Sequence, residues 1–328
     1  MKTLKIIGIL LCSVLFVMGS KAFAAGSITV KVGHGHSIQH PVNKGLSLFK
    51  EVVDKRSNGR IKVQIFPSCQ LGNESEMAEL CKMGNIQGIM FGRFEEQSPM
   101  LYGINLPFLF KNFAHADRVL KGPVGDYLAS FCEDHGLKLV GWSFTGFRQI
   151  TNNVRPIRKP EDLKGLKIRT PPNENYIRSM KAFGASPTPI PYSEVYMACK
   201  TGVVDGQENP FVNIYSEKFY EVQKYITVVN YVCGQGPFFF GLKWFKSLPA
   251  EDQTILANAA KICTEYTNVL TIASNDKYLQ LLKKEGMQVH TLTDEERAEF
   301  VKMVGPVYDY FIQKGITTKR MIDFMQRQ

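Results

Sequence analysis

The sequence lacks the short motifs that mark common enzyme sites. It contains no G-x-S-x-G nucleophile elbow, no H-E-x-x-H metal motif and no phosphate-binding P-loop. The dinucleotide fingerprint G-x-G-x-x-G is also absent, because Gly33 and Gly35 are not followed by the third glycine. These absences argue against catalysis, and a secreted hydrolase without a known motif is the enzyme alternative that stays open.

The cysteines lack the C-x-x-C spacing of a metal or redox site. An even number of cysteines in an exported chain permits disulfide bonds, but a core of this size does not need them. We therefore predict mostly buried free thiols. The six cysteines concerned are Cys69, Cys81, Cys132, Cys199, Cys233 and Cys263.

The positive charge is not concentrated in a stripe. The formal net charge is +10, and three of the lysines responsible lie within the first 21 residues. The other basic residues are scattered among acidic ones, whereas a nucleic-acid-binding surface has a clustered basic patch. We therefore predict no nucleic-acid partner, and only a modest general attraction for anions.

The apolar run near the N-terminus, Ile6 to Val17, is too short to span a bilayer, which takes about 20 residues, and no later stretch lacks charges for that long. At the N-terminus, Lys2 and Lys5 precede an apolar run, and Ala22-Phe23-Ala24 forms an A-x-A cleavage site. We predict a signal peptide over 1–24, a mature chain that begins at Ala25, and a periplasmic location.

The mature chain alternates strand and helix patterns, which predicts an α/β fold with a parallel or mixed sheet covered by helices. Its length favours two lobes. We predict lobe I over 25–146 and 234–275, and lobe II over 147–233 and 276–328. A helix over 250–284 would be about 50 Å long, so we expect it to span both lobes.

Two groups of residues could carry binding chemistry. His34, His36 and His40 follow the first predicted strand, and they either ligate a transition metal, contact a ligand at the mouth of a cleft, or form a polar turn. Arg148 and Arg169 stand in strand-like runs. Each arginine either pairs with a protein carboxylate or presents its fork to a ligand carboxylate or sulfonate.

Several segments, in this order along nearly the whole mature chain, resemble signatures of the TRAP-transporter substrate-binding protein family. No one of these segments is as specific as their shared order. They are Gln70-Leu71-Gly72, Leu106-Pro107-Phe108-Leu109-Phe110, Glu161-Asp162-Leu163-Lys164-Gly165-Leu166-Lys167-Ile168-Arg169, Gly184-Ala185-Ser186-Pro187-Thr188-Pro189, Tyr192-Ser193-Glu194-Val195-Tyr196, Val204-Asp205-Gly206-Gln207-Glu208-Asn209-Pro210 and Phe219-Tyr220-Glu221-Val222-Gln223-Lys224.

This resemblance implies roles for four residues. Arg169 would anchor the ligand carboxylate, Arg148 would assist it, Asn209 would help to place arginine and ligand, and Tyr192 would form a wall of the pocket. Two further first-lobe candidates, His34 and Arg93, are expected to reach the cleft. For Arg93 the alternative is a surface pair with the neighbouring glutamates at positions 95 and 96.

The resemblance also implies a two-lobe, Venus-flytrap periplasmic binding protein that is not an enzyme and needs no cofactor. Its partners would be a small organic anion and two integral membrane subunits driven by an ion gradient. The expected ligand is a monocarboxylate, dicarboxylate or sugar acid, and a small sulfonate such as isethionate is the rival. A periplasmic metal-binding protein that uses the N-terminal histidines is the alternative outside the family.

Overall fold

The computed structural model describes residues 27–90 and 99–328. The predicted signal peptide and Arg93 therefore lie outside the described residues. The strands are β1 Ile28–Gly33, β2 Ile61–Phe66, β3 Gly88–Met90, β4 Leu137–Gly141, β5 Phe144–Asn152, β6 Lys167–Thr170, β7 Ser186–Pro189, β8 Gly206–Pro210, β9 Tyr225–Val228, β10 Cys233–Gln235, β11 Phe238–Gly241 and β12 Gln288–Thr291.

The helices in the described part of the chain cover the faces of two sheets. They are α1 Pro41–Arg56, α2 Glu74–Met83, α3 Phe113–Leu120, α4 Pro123–Asp134, α5 Glu174–Ala182, α6 Val195–Lys200, α7 Phe211–Ser216, α8 Leu242–Ser247, α9 Ala250–Lys284, α10 Asp294–Lys302, α11 Gly305–Gln313 and α12 Lys319–Arg327. None of these helices combines the length and the apolar character that crossing a bilayer requires.

The first sheet has the strand order β2-β1-β3-β11-β4. Strand β1 runs parallel to β2 and β3, whereas β11 runs antiparallel to β3 and β4. In β11, Phe238 and Phe240 pack with α1 and α9, while Phe239 packs in a separate cluster with Leu128 of α4. Alternate side chains of a strand point to opposite faces, so three consecutive phenylalanines bury both faces of this sheet.

The second sheet has the order β12-β9-β5-β8-β6-β7, and β10 also pairs with β5. Strand β5 is antiparallel to β8, β9 and β10, while β6 is parallel to β7 and β8. Every residue of β5 and β8 is buried, including polar ones. Two mixed sheets with covering helices confirm the predicted fold class.

Three chain segments connect the sheets. Strand β4 leads into β5, and β10 leads into β11; the backbone N–H of Gly236 donates to the Ser143 carbonyl at 2.7 Å, which ties these two crossings together. The third segment is α9, whose bounds match the prediction. Its Leu256 lies in the core under the first sheet, and its Leu282 lies in the core under the second. The long helix therefore spans both sheets.

The C-terminal helices contact both halves of the molecule. Phe300 of α10 packs with Phe183 beneath the second sheet, whereas Ile322 and Met325 of α12 pack in the cluster that contains Leu128. The predicted lobe boundaries had placed all of 276–328 with lobe II. Those boundaries remain a prediction, and the contacts show that the last helix lies against α3 and α4.

Several predicted elements differ in their bounds. The apolar pattern of 114–135 predicts a single helix, but the structure has two, because Gly122-Pro123 separates them and proline lies in the first turn of α4. The pattern also predicts a strand over 203–207, whereas β8 covers 206–210 and Val203 is exposed. The six cysteines after residue 24 are all unpaired; five are buried and Cys69 is half-buried.

Candidate functional site

A small cavity lies where the two sheets face each other. It offers about 30 Å³ of space for the centre of a water molecule, and its walls come from both halves of the molecule. Many wall atoms are polar, so the cavity suits a polar ligand. The lining residues are His36, Glu74, Thr145, Arg148, Arg169, Pro171, Tyr176, Tyr192, Asn209, Asn213, Gly234 and Gln235.

Arg169 is a buried cation in the cavity wall. It lies on β6, is 1% exposed, and makes no ion pair with a carboxylate among the residues that the structure describes. Its Nε and Nη2 donate to the carbonyl oxygen of Ile190 at 2.8 and 2.6 Å. Its Nη1 is buried and has no hydrogen-bond partner there. Burial lowers the Arg169 pKa to about 10, so the group is still charged at neutral pH.

Arg148 has a protein partner. On β5 it lines the cavity, but its Nε and Nη2 both donate to the Glu208 carboxylate, and Nη2 also donates to the Glu208 carbonyl at 2.7 Å. The Tyr231 hydroxyl donates to the same carboxylate. Burial by itself lowers the pKa of Arg148, but the charge of Glu208 outweighs burial, so the pKa is raised overall. Arg148 therefore forms a protein ion pair and also lines the cavity, and its assistance to Arg169 at a ligand remains a prediction.

Asn209 and Tyr192 both line the cavity, as the family resemblance implied. Asn209 Oδ1 accepts a hydrogen bond from Arg148 Nη2 at 3.3 Å. The Tyr192 ring centroid lies 6.0 Å from Cζ of Arg169, and its hydroxyl accepts from Asn213 Nδ2 at 2.8 Å. Burial raises the Tyr192 pKa well above its usual value, so the phenol stays protonated.

The three N-terminal histidines are buried together. His36 stacks on His40 with ring centroids 4.0 Å apart, and His34 Nε2 lies 3.1 Å from Asn43 Oδ1. Burial lowers the pKa of His34 to about 4 and that of His40 to about 3, so both rings are neutral at pH 7. Only His36 of the three lines the cavity, and its Nε2 has no partner among the described atoms.

The described residues include no group of three His, Cys, Asp or Glu side chains that could hold a metal ion. Because the histidines contact amide groups and two of them stack on one another, the geometry gives the metal-binding alternative no support. His34 is not part of the cavity lining, whereas His36 is, and the ligand role of His34 remains a prediction.

Two contacts join the histidine loop to α7 and the residue after it. The Ser37 backbone N–H donates to Glu217 Oε1 at 3.0 Å, and His40 Nε2 lies 3.4 Å from Asn213 Oδ1. These contacts cross between the halves that carry the two sheets. Burial raises the Glu217 pKa, even though the hydrogen bond from Ser37 acts in the opposite direction.

Sequence reasoning missed several members of the site, among them Gln235, Asn213 and Glu208. A signal for the first two exists, because each is a single polar residue within an apolar stretch. Gln235 closes the run Tyr231-Val232-Cys233-Gly234-Gln235, and Asn213 interrupts Phe211-Val212-Asn213-Ile214-Tyr215. A buried polar side chain in such a run needs a hydrogen-bond partner, which points toward a site or a network.

Comparison with known proteins gives consistent results. The profile of the family described as bacterial extracellular solute-binding protein, family 7, matches residues 32–314. The 2,3-diketo-L-gulonate-binding periplasmic protein YiaO of Escherichia coli is 32% identical over 321 residues, covering 95% of this chain and 97% of its own. The C4-dicarboxylate-binding periplasmic protein DctP of Rhodobacter capsulatus is 33% identical over 296 residues, 88% of each chain.

Among solved structures, a TRAP periplasmic solute-binding protein from Polaromonas with bound D-erythronate superimposes with a TM-score of 0.87. The two sequences are 31% identical, and the match covers 92% of this chain and 98% of that one.

Proposed function

Because the chain belongs to family 7 of the bacterial extracellular solute-binding proteins, the substrate-binding proteins of TRAP transporters and not enzymes, we propose that it captures a small organic anion through Arg169. The anion would then pass to two integral membrane subunits driven by an ion gradient. In this proposal the chain is exported, cleaved after Ala24, and works in the periplasm.

The observation that carries the proposal is the uncompensated guanidinium. A buried cation without a counter-ion is costly, so natural proteins pair such groups with protein carboxylates or use them for ligands. Arg148 shows the first solution, with Glu208. We propose the second for Arg169, and two observations support it: Nε and Nη2 are held by the Ile190 carbonyl, and Nη1 has no partner among the described residues.

Capture would proceed by closure of the two lobes around the ligand. The crossings at 141–144 and 235–238 are the proposed hinge, and the contacts of Ser37 with Glu217 and of His40 with Asn213 form only when the lobes approach. A ligand shifts the equilibrium toward closure by the contacts it makes in the closed form alone. His36 from one side, and Arg169 with Tyr192 from the other, would supply those contacts. Asn209 would orient Arg148, and the roles proposed for His34 and Arg93 would be to support or complete the first-lobe wall.

Relatives support a carboxylate ligand. YiaO is named for a sugar acid, the Rhodobacter protein for C4-dicarboxylates, and the Polaromonas structure holds D-erythronate. A sulfonate head such as that of isethionate also accepts hydrogen bonds from a guanidinium fork. The proposal therefore covers small carboxylates first and sulfonates as the finer alternative.

A thermal-shift screen of small carboxylates and sulfonates tests the proposal. A ligand present at 100 times its dissociation constant stabilises the protein by about 2.7 kcal/mol. Removal of one partner from a buried ion pair costs roughly 3–5 kcal/mol, so Arg169→Ala should weaken binding by roughly two to four orders of magnitude in titration calorimetry. Arg169→Lys should also bind poorly, because an ammonium group cannot reproduce the fork.

Arg155→Ala is the matched control. Arg155 also donates to two main-chain carbonyls, of Asp162 and Lys164, but it is not part of the cavity wall. Binding should survive this change. The proposal fails if no organic acid raises the melting temperature, or if Arg169→Ala binds as tightly as the unaltered protein.

A further inference from the structure

Gln235 is a buried amide in the cavity wall, and the described residues offer it no hydrogen-bond partner. It is the last residue of β10, it is 1% exposed, and it lines the cavity wall. Neither its Oε1 nor its Nε2 has a hydrogen-bond partner among the described residues. The large majority of buried side-chain polar atoms are hydrogen-bonded, so an amide with both ends unpaired favours a partner from outside the chain.

The oxygen and the nitrogen of the Gln235 amide require different hydrogen-bonding groups on the ligand. Nε2 is a donor, as is Arg169 Nη1, and an ionised carboxylate or sulfonate satisfies donors only. Oε1 is an acceptor, so it requires a ligand hydrogen on oxygen or nitrogen. A fully ionised acid without such a group leaves Oε1 buried and unpaired, which costs more than the hydrogen bond itself would contribute.

A hydroxyl group fits better than an ammonium group. A hydroxyl both donates and accepts, so it can serve Oε1 while remaining compatible with Nε2 and with the unpaired Nε2 of His36. An ammonium group would only donate, so it could not accept from Nε2, and it would enter a wall that carries Arg169 and Arg148 as well as Glu74.

The size of the cavity limits the ligand further. Its space of about 30 Å³ for the centre of a water molecule exceeds the ~10–15 Å³ that one ordered water needs, but not by a large factor. A compact ligand with an anionic head and one nearby polar group fits such a space. An extended six-carbon chain does not fit it in this closed arrangement.

From these observations we infer that Gln235 recognises a ligand hydroxyl, and that the preferred ligands are short hydroxylated monoanions rather than six-carbon sugar acids. This inference rests on the proposed function, because it assumes that Arg169 binds the anionic head. Gln235 lies immediately before the crossing from β10 to β11, so the same hydrogen bond would hold the ligand against the hinge.

Calorimetry with matched pairs of acids tests the inference on the mature protein. The pairs are lactate with propanoate, and isethionate with ethanesulfonate, which differ only in the hydroxyl; gluconate is the six-carbon probe. In at least one pair the hydroxylated member should bind about tenfold more tightly or better, as expected for a buried acceptor left unpaired. Gluconate should bind more weakly than the hydroxylated member of that pair.

The variant Gln235→Met keeps the length of the side chain and removes both polar ends. It should reduce the difference within the pair to about twofold or less while the unhydroxylated acid still binds. Gln288→Met, on the exposed strand β12, is the control and should retain the full difference. If Gln235→Met does not fold, the affinities of the unaltered protein for the two members of each pair still test the inference.

Equal binding of both members in every pair overturns the inference, and so does a hydroxyl preference that survives in Gln235→Met or the tightest binding for gluconate. In each of those cases organic acids still bind, so the proposed function stands. If no carboxylate or sulfonate binds the unaltered protein at all, the proposed function itself has failed.

Discussion

Replacing Arg169 with methionine should change ligand-free stability and ligand affinity in opposite directions. Methionine has a similar length and is apolar, so Arg169→Met removes the charge without a large cavity. If Arg169 stabilised the fold, this substitution would destabilise the protein. If Arg169 serves to bind a ligand, its buried charge is unfavourable in the ligand-free protein, and removing the charge should stabilise that protein.

The magnitude follows from the pKa. Burial lowers the Arg169 pKa from 12.5 to about 10, and each pKa unit corresponds to about 1.4 kcal/mol, so the buried charge costs the folded state roughly 3 kcal/mol at neutral pH. Because the pKa of Arg169 is lower in the folded protein than in the unfolded chain, the charge destabilises the folded state, and this penalty is fully present below about pH 10. Losing the hydrogen bonds to Ile190 offsets about 1 kcal/mol of the gain. We expect Arg169→Met to raise the free energy of unfolding by roughly 2 kcal/mol.

Urea denaturation of the ligand-free protein at pH 7, with calorimetry on the same preparations, measures both effects. The expected result is a more stable variant whose affinity for the organic anion has fallen by at least about a hundredfold. A variant that is less stable than the parent by the 2–5 kcal/mol typical of a damaged core would refute the reasoning, because Arg169 would then be a structural residue.

Two further predictions concern the helix α1. Gly45→Ala should destabilise the protein by about 1–3 kcal/mol, because a Cβ there would lie 2.0 Å from Thr267 Oγ1 and 3.0 Å from the Cys263 carbonyl oxygen on α9. Thermal unfolding measures this loss, and Gly305→Ala is the control, because a Cβ at that position meets no atom within 4 Å. An unchanged melting temperature for Gly45→Ala would contradict the close packing of α1 on α9. His40→Asn should keep the N-cap of α1 but flatten the pH dependence of stability. Burial lowers the His40 pKa from its ordinary value of 6.5 to about 3, so stability is lost as the pH falls through this interval. Urea denaturation at several pH values should show a slope shallower by up to about 1.4 kcal/mol per pH unit, and an identical slope would mean that His40 is not buried as a neutral ring.

Much of the fold could be predicted from periodicity. The β1-α1-β2 unit follows from alternating apolar residues in the strands, and the bounds of α9 follow from Pro249 with two acidic residues in the first turn. Strand β7 could not be predicted, because Ser186-Pro187-Thr188-Pro189 has no apolar alternation and pairs only as an edge strand. The pattern predicts strand β8 three residues too early, because its buried side chains at 206–210 are mostly polar.

The site was predictable in part. Resemblance pointed to Arg169, Tyr192 and Asn209, and all three line one cavity. Spacing could not tell whether Arg148 faces a ligand or a protein carboxylate, because Glu208 lies on a different strand and only the antiparallel pairing of β5 with β8 brings them together. Nor could it choose His36 over His34, since the two follow the strand in a loop where side-chain direction does not alternate regularly.

The unpaired cysteines have a practical consequence for the protein's chemistry. Burial raises the pKa of all six thiols, that of Cys199 to about 11, and thiolates are the species that exchange or oxidise. Few thiolates are therefore present at neutral pH, and we expect the described cysteines to stay unpaired when the surroundings turn from reducing to oxidising. Refolding in the laboratory should then proceed without a redox buffer.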